Sequence, residues 1–464
     1  MTWVRSFISH FKKVMLFVAV VIVVTEVMNY LYVDDTDDFD RYTMHAFYEE
    51  KQNIDRLYLG SSHVFCDINP VLLDDINGEN NFNLATGAQR LNTAYYLLKE
   101  VEKKHKVSRV YLDLYYDCTI GELGDPKGDL PYSWFVVNQM RPSLNKLAYM
   151  LDLSSPRYYY LTFLPFIRYK DQLFNLNYVA NVVRGKQSES WKNHEYLHIS
   201  RIDGKEYVFK NGEKGFRLGY IAPEEGGFYR TDQEKPLMEN PMAAEQMEYL
   251  IKIIEHCKEN EIILTWIGCP ISDFQLARNG AYDHYVRQIS ELADQYRIPY
   301  YDFNLCRSEY LALSQDRHWA DMGHLNTEGA EIFTQFMGQF LTAQEEGLDT
   351  YQDCFHGSYE EKMQAMPKTI YGLEAVRSED YERCLADIPK EQWGAYTIYK
   401  IHPVANCSLN EIVVEVYTEG EEIQLVRDEN NVYAVVSAAE HGTMRVEAKL
   451  KDDEEVTNWV QIEY

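Results

Sequence analysis

Leu57-Tyr58-Leu59-Gly60-Ser61-Ser62-His63 decides the fold. Arg56 to Leu59 shows no apolar–polar alternation past its first residue, which reads as a strand buried on both faces, and it stops at a Gly-Ser turn. Such a strand needs layers on each side, and the flanking sequence supplies them. Phe82 to Ala85 reads as a second strand. Leu91 to Lys104 sets Leu91, Ala94, Tyr95, Leu98 and Val101 at helical spacing, and Val107 to Tyr115 reads as a third strand. The rhythm resumes with a helix over Ala243–Asn260, a strand over Ile262–Ile267, a helix over Tyr282–Tyr296, a strand over Pro299–Phe303 and a helix from Thr327 to about Leu341. Alternating strands and helices predict an α/β fold with a parallel sheet covered on both faces. Ligands gather at the carboxyl ends of such strands, where Gly60-Ser61-Ser62 lies.

Downstream, Asp321-Met322-Gly323-His324-Leu325-Asn326-Thr327-Glu328-Gly329 places an Asp three residues before a His at the mouth of a helix. A serine hydroxyl attacks poorly until a base takes its proton. The Gly60-Ser61-Ser62 turn, His324 and Asp321 supply nucleophile, base and orienting carboxylate. The plainer readings are a turn serine at Ser62 and helix capping by Asp321 and Thr327. Asp316-Arg317-His318-Trp319 offers a competing pair, Asp316 and His318. His63 reads as a pocket wall or a structural histidine.

With 464 residues, two to three domains are expected. Val14 to Val24 is an unbroken apolar run that continues to Val33, 20 residues in all, about the length of a bilayer span. Arg5, Lys12 and Lys13 precede it, and Asp34, Asp35, Asp37, Asp38 and Asp40 follow. Residues 1–34 therefore read as a cytoplasmic stub and an uncleaved signal anchor, with everything after on the outer side; a cleaved signal peptide is the other reading. Glu26 and Asn29 within the span fit either snorkelling to the surface or contact with a polytopic partner. The net charge of −28 excludes a nucleic-acid partner, which needs clustered Lys and Arg. Eight cysteines lie far apart with no Cys-x-x-Cys pair, so no metal or other cofactor is expected. An outer location permits disulfides, but no pairing follows.

Residues 35–342 form the expected α/β domain, interrupted at 118–240 by a Gly-, Tyr- and Phe-rich insertion over the sheet's active edge. Its aromatic residues fit either a sugar platform or ordinary packing. Residues 343–395 read as a connector and 396–464 as a small β-sandwich, with hairpin turns at Asn430-Asn431 and His441-Gly442.

At the quoted blocks the chain resembles the SGNH (GDSL-like) hydrolase superfamily, and more closely its membrane-anchored cell-envelope branch of DltD-like and alginate-acetylation-type proteins. The resemblance covers about residues 55–117 and 243–341. It implies a flavodoxin-like three-layer fold and Ser62 as nucleophile, because Gly60-Ser61-Ser62 stands where the superfamily has Gly-Asp-Ser. It also implies an oxyanion site made by the backbone N–H groups of Ser62 and Gly87, the latter within Asn83-Leu84-Ala85-Thr86-Gly87-Ala88-Gln89. Asp321, His324 and Gly329 match the last block. The third block departs: Asp113-Leu114-Tyr115-Tyr116-Asp117 lacks the Asn that completes the oxyanion hole in many members, and Gln89 is the substitute donor.

The expected function is an outer-face O-acyltransferase that acetylates a cell-envelope or secreted glycan through an acyl-Ser62 intermediate. The partner that the resemblance implies is a membrane-bound O-acyltransferase (MBOAT-type) as acyl donor. A carbohydrate or lipid esterase is the alternative within enzymes, and a non-catalytic glycan-binding or assembly component is the alternative outside them.

Overall fold

The computed structural model describes residues 2–202, 205–220, 238–314, 317–321, 323–418, 424–428, 431–437, 442–451 and 458–463. It opens on α1 (Thr2–Tyr32). Its portion His10–Tyr32, 23 residues of hydropathy 2.3, is long and apolar enough to cross a membrane; at ~1.5 Å per residue it reaches about 35 Å. After Val33–Asp38 comes α2 (Phe39–Glu49), whose N-cap Asp38 accepts the Asp40 N–H. Then follow β1 (Arg56–Leu59), α3 (Ser62–Asp67), β2 (Asn81–Asn83), α4 (Leu91–Val101) and β3 (Arg109–Asp113).

The chain then leaves for the insertion. α5 (Leu144–Asp152) starts at Ser143, whose hydroxyl accepts the Lys146 N–H, and is pinned by the buried Tyr149 hydroxyl 2.6 Å from that of Thr93. α6 (Leu176–Lys186) reaches back to α1. The Lys186 ammonium donates to the carbonyls of Asn29, Tyr30 and Val33, capping a helix end that otherwise leaves carbonyls unpaired. Asn29 Oδ1 accepts the Phe166 N–H, so this polar residue serves the insertion. An antiparallel sheet of β4 (Leu197–Ile202), β5 (Lys205–Asn211) and β6 (Arg217–Tyr220) follows. The turn before β6 rests against β2: the Asn83 N–H donates to Lys214 O. At Gly215, with φ +83°, a Cβ would lie 1.8 Å from Asn83 O.

The alternation resumes with α7 (Ala244–Glu259), β7 (Ile263–Gly268), α8 (Tyr282–Tyr296), β8 (Tyr300–Asp302) and α9 (Thr327–Glu345). The strands form a parallel five-stranded sheet in the order β2-β1-β3-β7-β8. Leu57, Leu59, Val110, Leu112, Trp266 and Ile267 are all buried in its centre, the aliphatic ones contributing roughly 1.5–3 kcal/mol each. The order reverses at β1, with β2 on one side and the other strands on the opposite side.

Two antiparallel sheets close the chain, formed by β9 (Ile370–Ser378), β10 (Tyr396–Ala405), β11 (Ile412–Thr418), β12 (Gln424–Arg427), β13 (Val432–Ser437), β14 (Thr443–Leu450) and β15 (Asn458–Glu463). Their orders are β12-β13-β10-β9 and β11-β14-β15, and they share one apolar core. Two expectations change here. β9 falls in the stretch 343–395 expected to be a connector, yet it pairs with β10 along most of its length. A hairpin forms between β12 and β13 across Asn431, with Asn430 outside the described residues. At Gly442 no hairpin forms, because β13 and β14 belong to different sheets; His441 is outside the described residues.

Candidate active site

β1 ends at Gly60 with φ +154°, and an added Cβ there would lie 2.6 Å from both Asp113 Cβ and Val64 Cγ2. Only glycine lets the chain turn this tightly into α3. Ser62 is the first residue of α3, with Ser61 as its N-cap.

The His324 loop is built by short-range bonds. Trp319 and Leu325 form a β-bridge, and the Ala320 N–H donates to His324 O at 2.8 Å. Asp321 Oδ1 accepts the N–H groups of Gly323 and His324 at 2.8 and 2.9 Å. Asn326, not Asp321 or Thr327, caps α9 by accepting the Gly329 N–H. Thr327 instead exchanges two hydrogen bonds with the Gly219 backbone of β6. The whole loop is hung on α3, because Asp67 Oδ1 accepts the Leu325 N–H at 3.1 Å.

Ser62 Oγ lies 2.7 Å from His324 Nε2. His324 Nδ1 lies 2.8 and 2.9 Å from the two oxygens of Asp321. Burial acts to raise the Asp321 carboxyl, but the charge and hydrogen bond of His324 and the two backbone N–H groups outweigh it and hold it well below the usual carboxylate range. An ionised Asp321 only accepts, so it takes Nδ1–H and leaves Nε2 to accept from the serine.

The oxyanion expectations fare differently. The Gln89 side chain is fully committed to the turn: Oε1 accepts the Gly60 N–H, and Nε2 donates to Leu84 O and Thr86 Oγ1. It is not a spare donor. The Gly87 N–H donates to Asp40 Oδ1 at 3.3 Å, so an oxyanion would compete with a carboxyl. Gly87, Asp40 and Arg217 line a cavity of ≈ 400 Å³. At the third block, the Tyr115 hydroxyl accepts from Gln275 and donates to Asp117. Asp113 accepts the Cys269 N–H, and burial pushes its carboxyl up to about 7.

Of the competing pair only His318 is described, and it is not hydrogen-bonded to Ser62. Asp316 is outside the described residues, and the buried His318 ring accepts the Ser314 N–H at 2.8 Å. His63 walls the site: its ring stacks on His324 with centroids 4.8 Å apart and packs on Tyr115 at 4.2 Å, and its Nδ1 is 3.0 Å from Ser61 Oγ.

Two contributors escaped sequence reading, Asp67 and Arg217. The Arg217 guanidinium donates to Cys66 Sγ and lies 4.8 Å from the rings of both Phe65 and Phe209. It sets positive charge toward Asp321. Among the described residues, no cluster of three or more His, Cys, Asp or Glu could hold a metal ion. No family model and no curated protein matches this chain.

Proposed function

We propose that the chain is a membrane-anchored serine O-acyltransferase of the SGNH type. One observation carries this reading: the unbroken hydrogen-bonded chain from Ser62 Oγ through His324 to Asp321, drawn from segments 262 residues apart. Ser62 Oγ attacks the acyl carbonyl while His324 Nε2 takes its proton. The leaving group departs with that proton, leaving an ester on Ser62. A glycan hydroxyl then gives its proton to His324 and takes the acyl group, and Ser62 recovers its hydrogen.

The Ser62 N–H, one of the donors that a helix start leaves unsatisfied internally, meets the oxyanion. The Gly87 N–H joins it only once released by Asp40. A missing donor of this kind raises a barrier by about 2.7–4 kcal/mol. That handicap supports transfer from a delivered donor, an MBOAT-type membrane protein, over bulk hydrolysis.

With the insertion set aside, the sheet order is the 2-1-3-4-5 of flavodoxin-like folds, and Ser62 follows β1 at the switch point. This supports the SGNH reading of residues 35–342, and the shared core of the two terminal sheets supports a small β-sandwich. α1 is read as the anchor, with the site on the outer side.

The test incubates the full chain in detergent micelles with an activated acetyl ester and a glycan. Acetylated sugar formed by the native chain and lost in Ser62→Ala supports transfer. Ser62-dependent acetate release alone makes the protein an esterase. Equal background rates in both proteins leave only the non-catalytic reading.

A further inference from the structure

The insertion carries large apolar side chains that nothing among the described residues covers. On α5, Leu144 is 85% exposed and Leu147 and Leu151 are 44% exposed. Their i, i+3, i+7 spacing puts them on one face, away from the buried Tyr149. Phe174 and Leu176, just before and at the start of α6, are 97% and 81% exposed.

Both groups adjoin the end of α1. The Tyr32 hydroxyl donates to Leu173 O, and the Tyr178 hydroxyl donates to Tyr32 O. α5 shares a cavity of ≈ 410 Å³ with Glu26, Asn29 and Tyr30, lined on its side by Lys146 and Met150. A helix that ends at Tyr32 after a membrane-length apolar run brings these side chains to the depth where hydrocarbon gives way to headgroups. The charge agrees. Residues 141–192 carry eight Lys or Arg against three Asp or Glu, in a chain of net charge −28. Apolar anchors set among basic residues are the makings of an interfacial lipid contact.

We propose that the insertion lies on the lipid surface that α1 crosses, with Leu144, Leu147, Leu151, Phe174 and Leu176 sunk into the headgroup boundary of an anionic leaflet. Separate apolar groups around a helix end fit a fluid surface, which demands depth and charge but no matching shape. The proposal rests on the membrane-spanning reading of α1 and is independent of the acyl-transfer chemistry.

The test uses the full chain in nanodiscs of phosphatidylcholine and phosphatidylglycerol. Seven of the eight native thiols are buried and Cys407 is half-buried, so Cys407→Ser provides the background. Single cysteines are placed by Leu144→Cys, Phe174→Cys, Val20→Cys and Leu425→Cys, and each carries an environment-sensitive fluorophore. Labels at 144 and 174 should show blue-shifted emission, quenching by nitroxide lipids, and iodide quenching about threefold or more weaker than at 425. The label at 20 reports whether α1 is in the bilayer. Protection at 20, with 144 and 174 as open to iodide as 425, overturns the docking and leaves the span intact. Exposure at all four positions overturns both. Protection of 144 and 174 that appears only with a co-reconstituted polytopic protein overturns the lipid surface in favour of that protein.

Discussion

Asp321 does two things with one carboxylate. It closes its own loop through the N–H groups of Gly323 and His324, and it holds His324 Nδ1. Asp321→Asn keeps an acceptor for the loop but loses the charge that stabilises an imidazolium. Acylation by p-nitrophenyl acetate, followed by stopped flow, should therefore slow by about 10⁴-fold with the circular dichroism spectrum unchanged. His324→Ala should slow it at least as much, and His318→Ala only mildly. A folded His324→Ala protein that acylates at the native rate, beside a dead His318→Ala, would move the base to His318. Ser62, His324 and Asp321 were legible because each block is local, a strand end and an Asp-x-x-His. The surroundings of Gly87 and Gln89 were not legible, because the Gly87 N–H is engaged by Asp40, 47 residues away, and the Gln89 amide by the Gly60 turn, 29 residues away. Asp67 was invisible for the same reason, since its partner Leu325 lies 258 residues on.

At the scale of elements, α9 is placed by how closely its first turn can approach the loop before it. A Cβ on Gly329 would lie 2.2 Å from His318 O. Backbone cannot swing aside as a side chain does, so Gly329→Ala must push α9 and the His324 loop apart. Overpacking of this kind costs about 1–3 kcal/mol. The expected result is a lowered melting temperature by calorimetry together with lost acylation of Ser62; an alanine variant with native melting and native acylation would show that the helix has room. Sequence reading found α8 to the residue and β1 to the residue, because period and length were unambiguous there. It missed β9 because Gly372, Glu374 and Arg377 interrupt its apolar residues, so the short run carries no clear period although Pro367 and Ser378 flank it. It took Gly442 for a hairpin because turn residues mark where a chain bends, not which sheet it enters next.

Across the whole molecule, buried carboxyls set the response to pH. Burial pushes Asp38 and Asp113 up to about 7, and raises Asp40, Asp67 and Asp302. In the unfolded chain an Asp titrates near ~3.9. Between that value and about 7 the folded protein holds protons that the unfolded chain has released, so stability falls as pH rises through this window. Differential scanning fluorimetry should give a melting temperature several degrees higher near pH 5 than near pH 8. Asp113→Asn, which keeps an acceptor for the Cys269 N–H, should flatten part of that slope; an unchanged slope would place Asp113 outside the cause. Asp321 works in the opposite sense. Its depressed carboxyl adds stability above ~4 that is lost only in stronger acid.

The clasp of Lys186 on the end of α1 has a kinetic consequence. Only residues 33–38 separate α1 from α2, and that junction is gripped by the insertion, so the α/β body does not swing on a tether. With α1 in a bilayer as proposed, Ser62 travels at a single height and orientation. Its encounters with membrane-borne reactants become a two-dimensional search governed by lateral diffusion, and a donor at the wrong height is never met, however abundant it is.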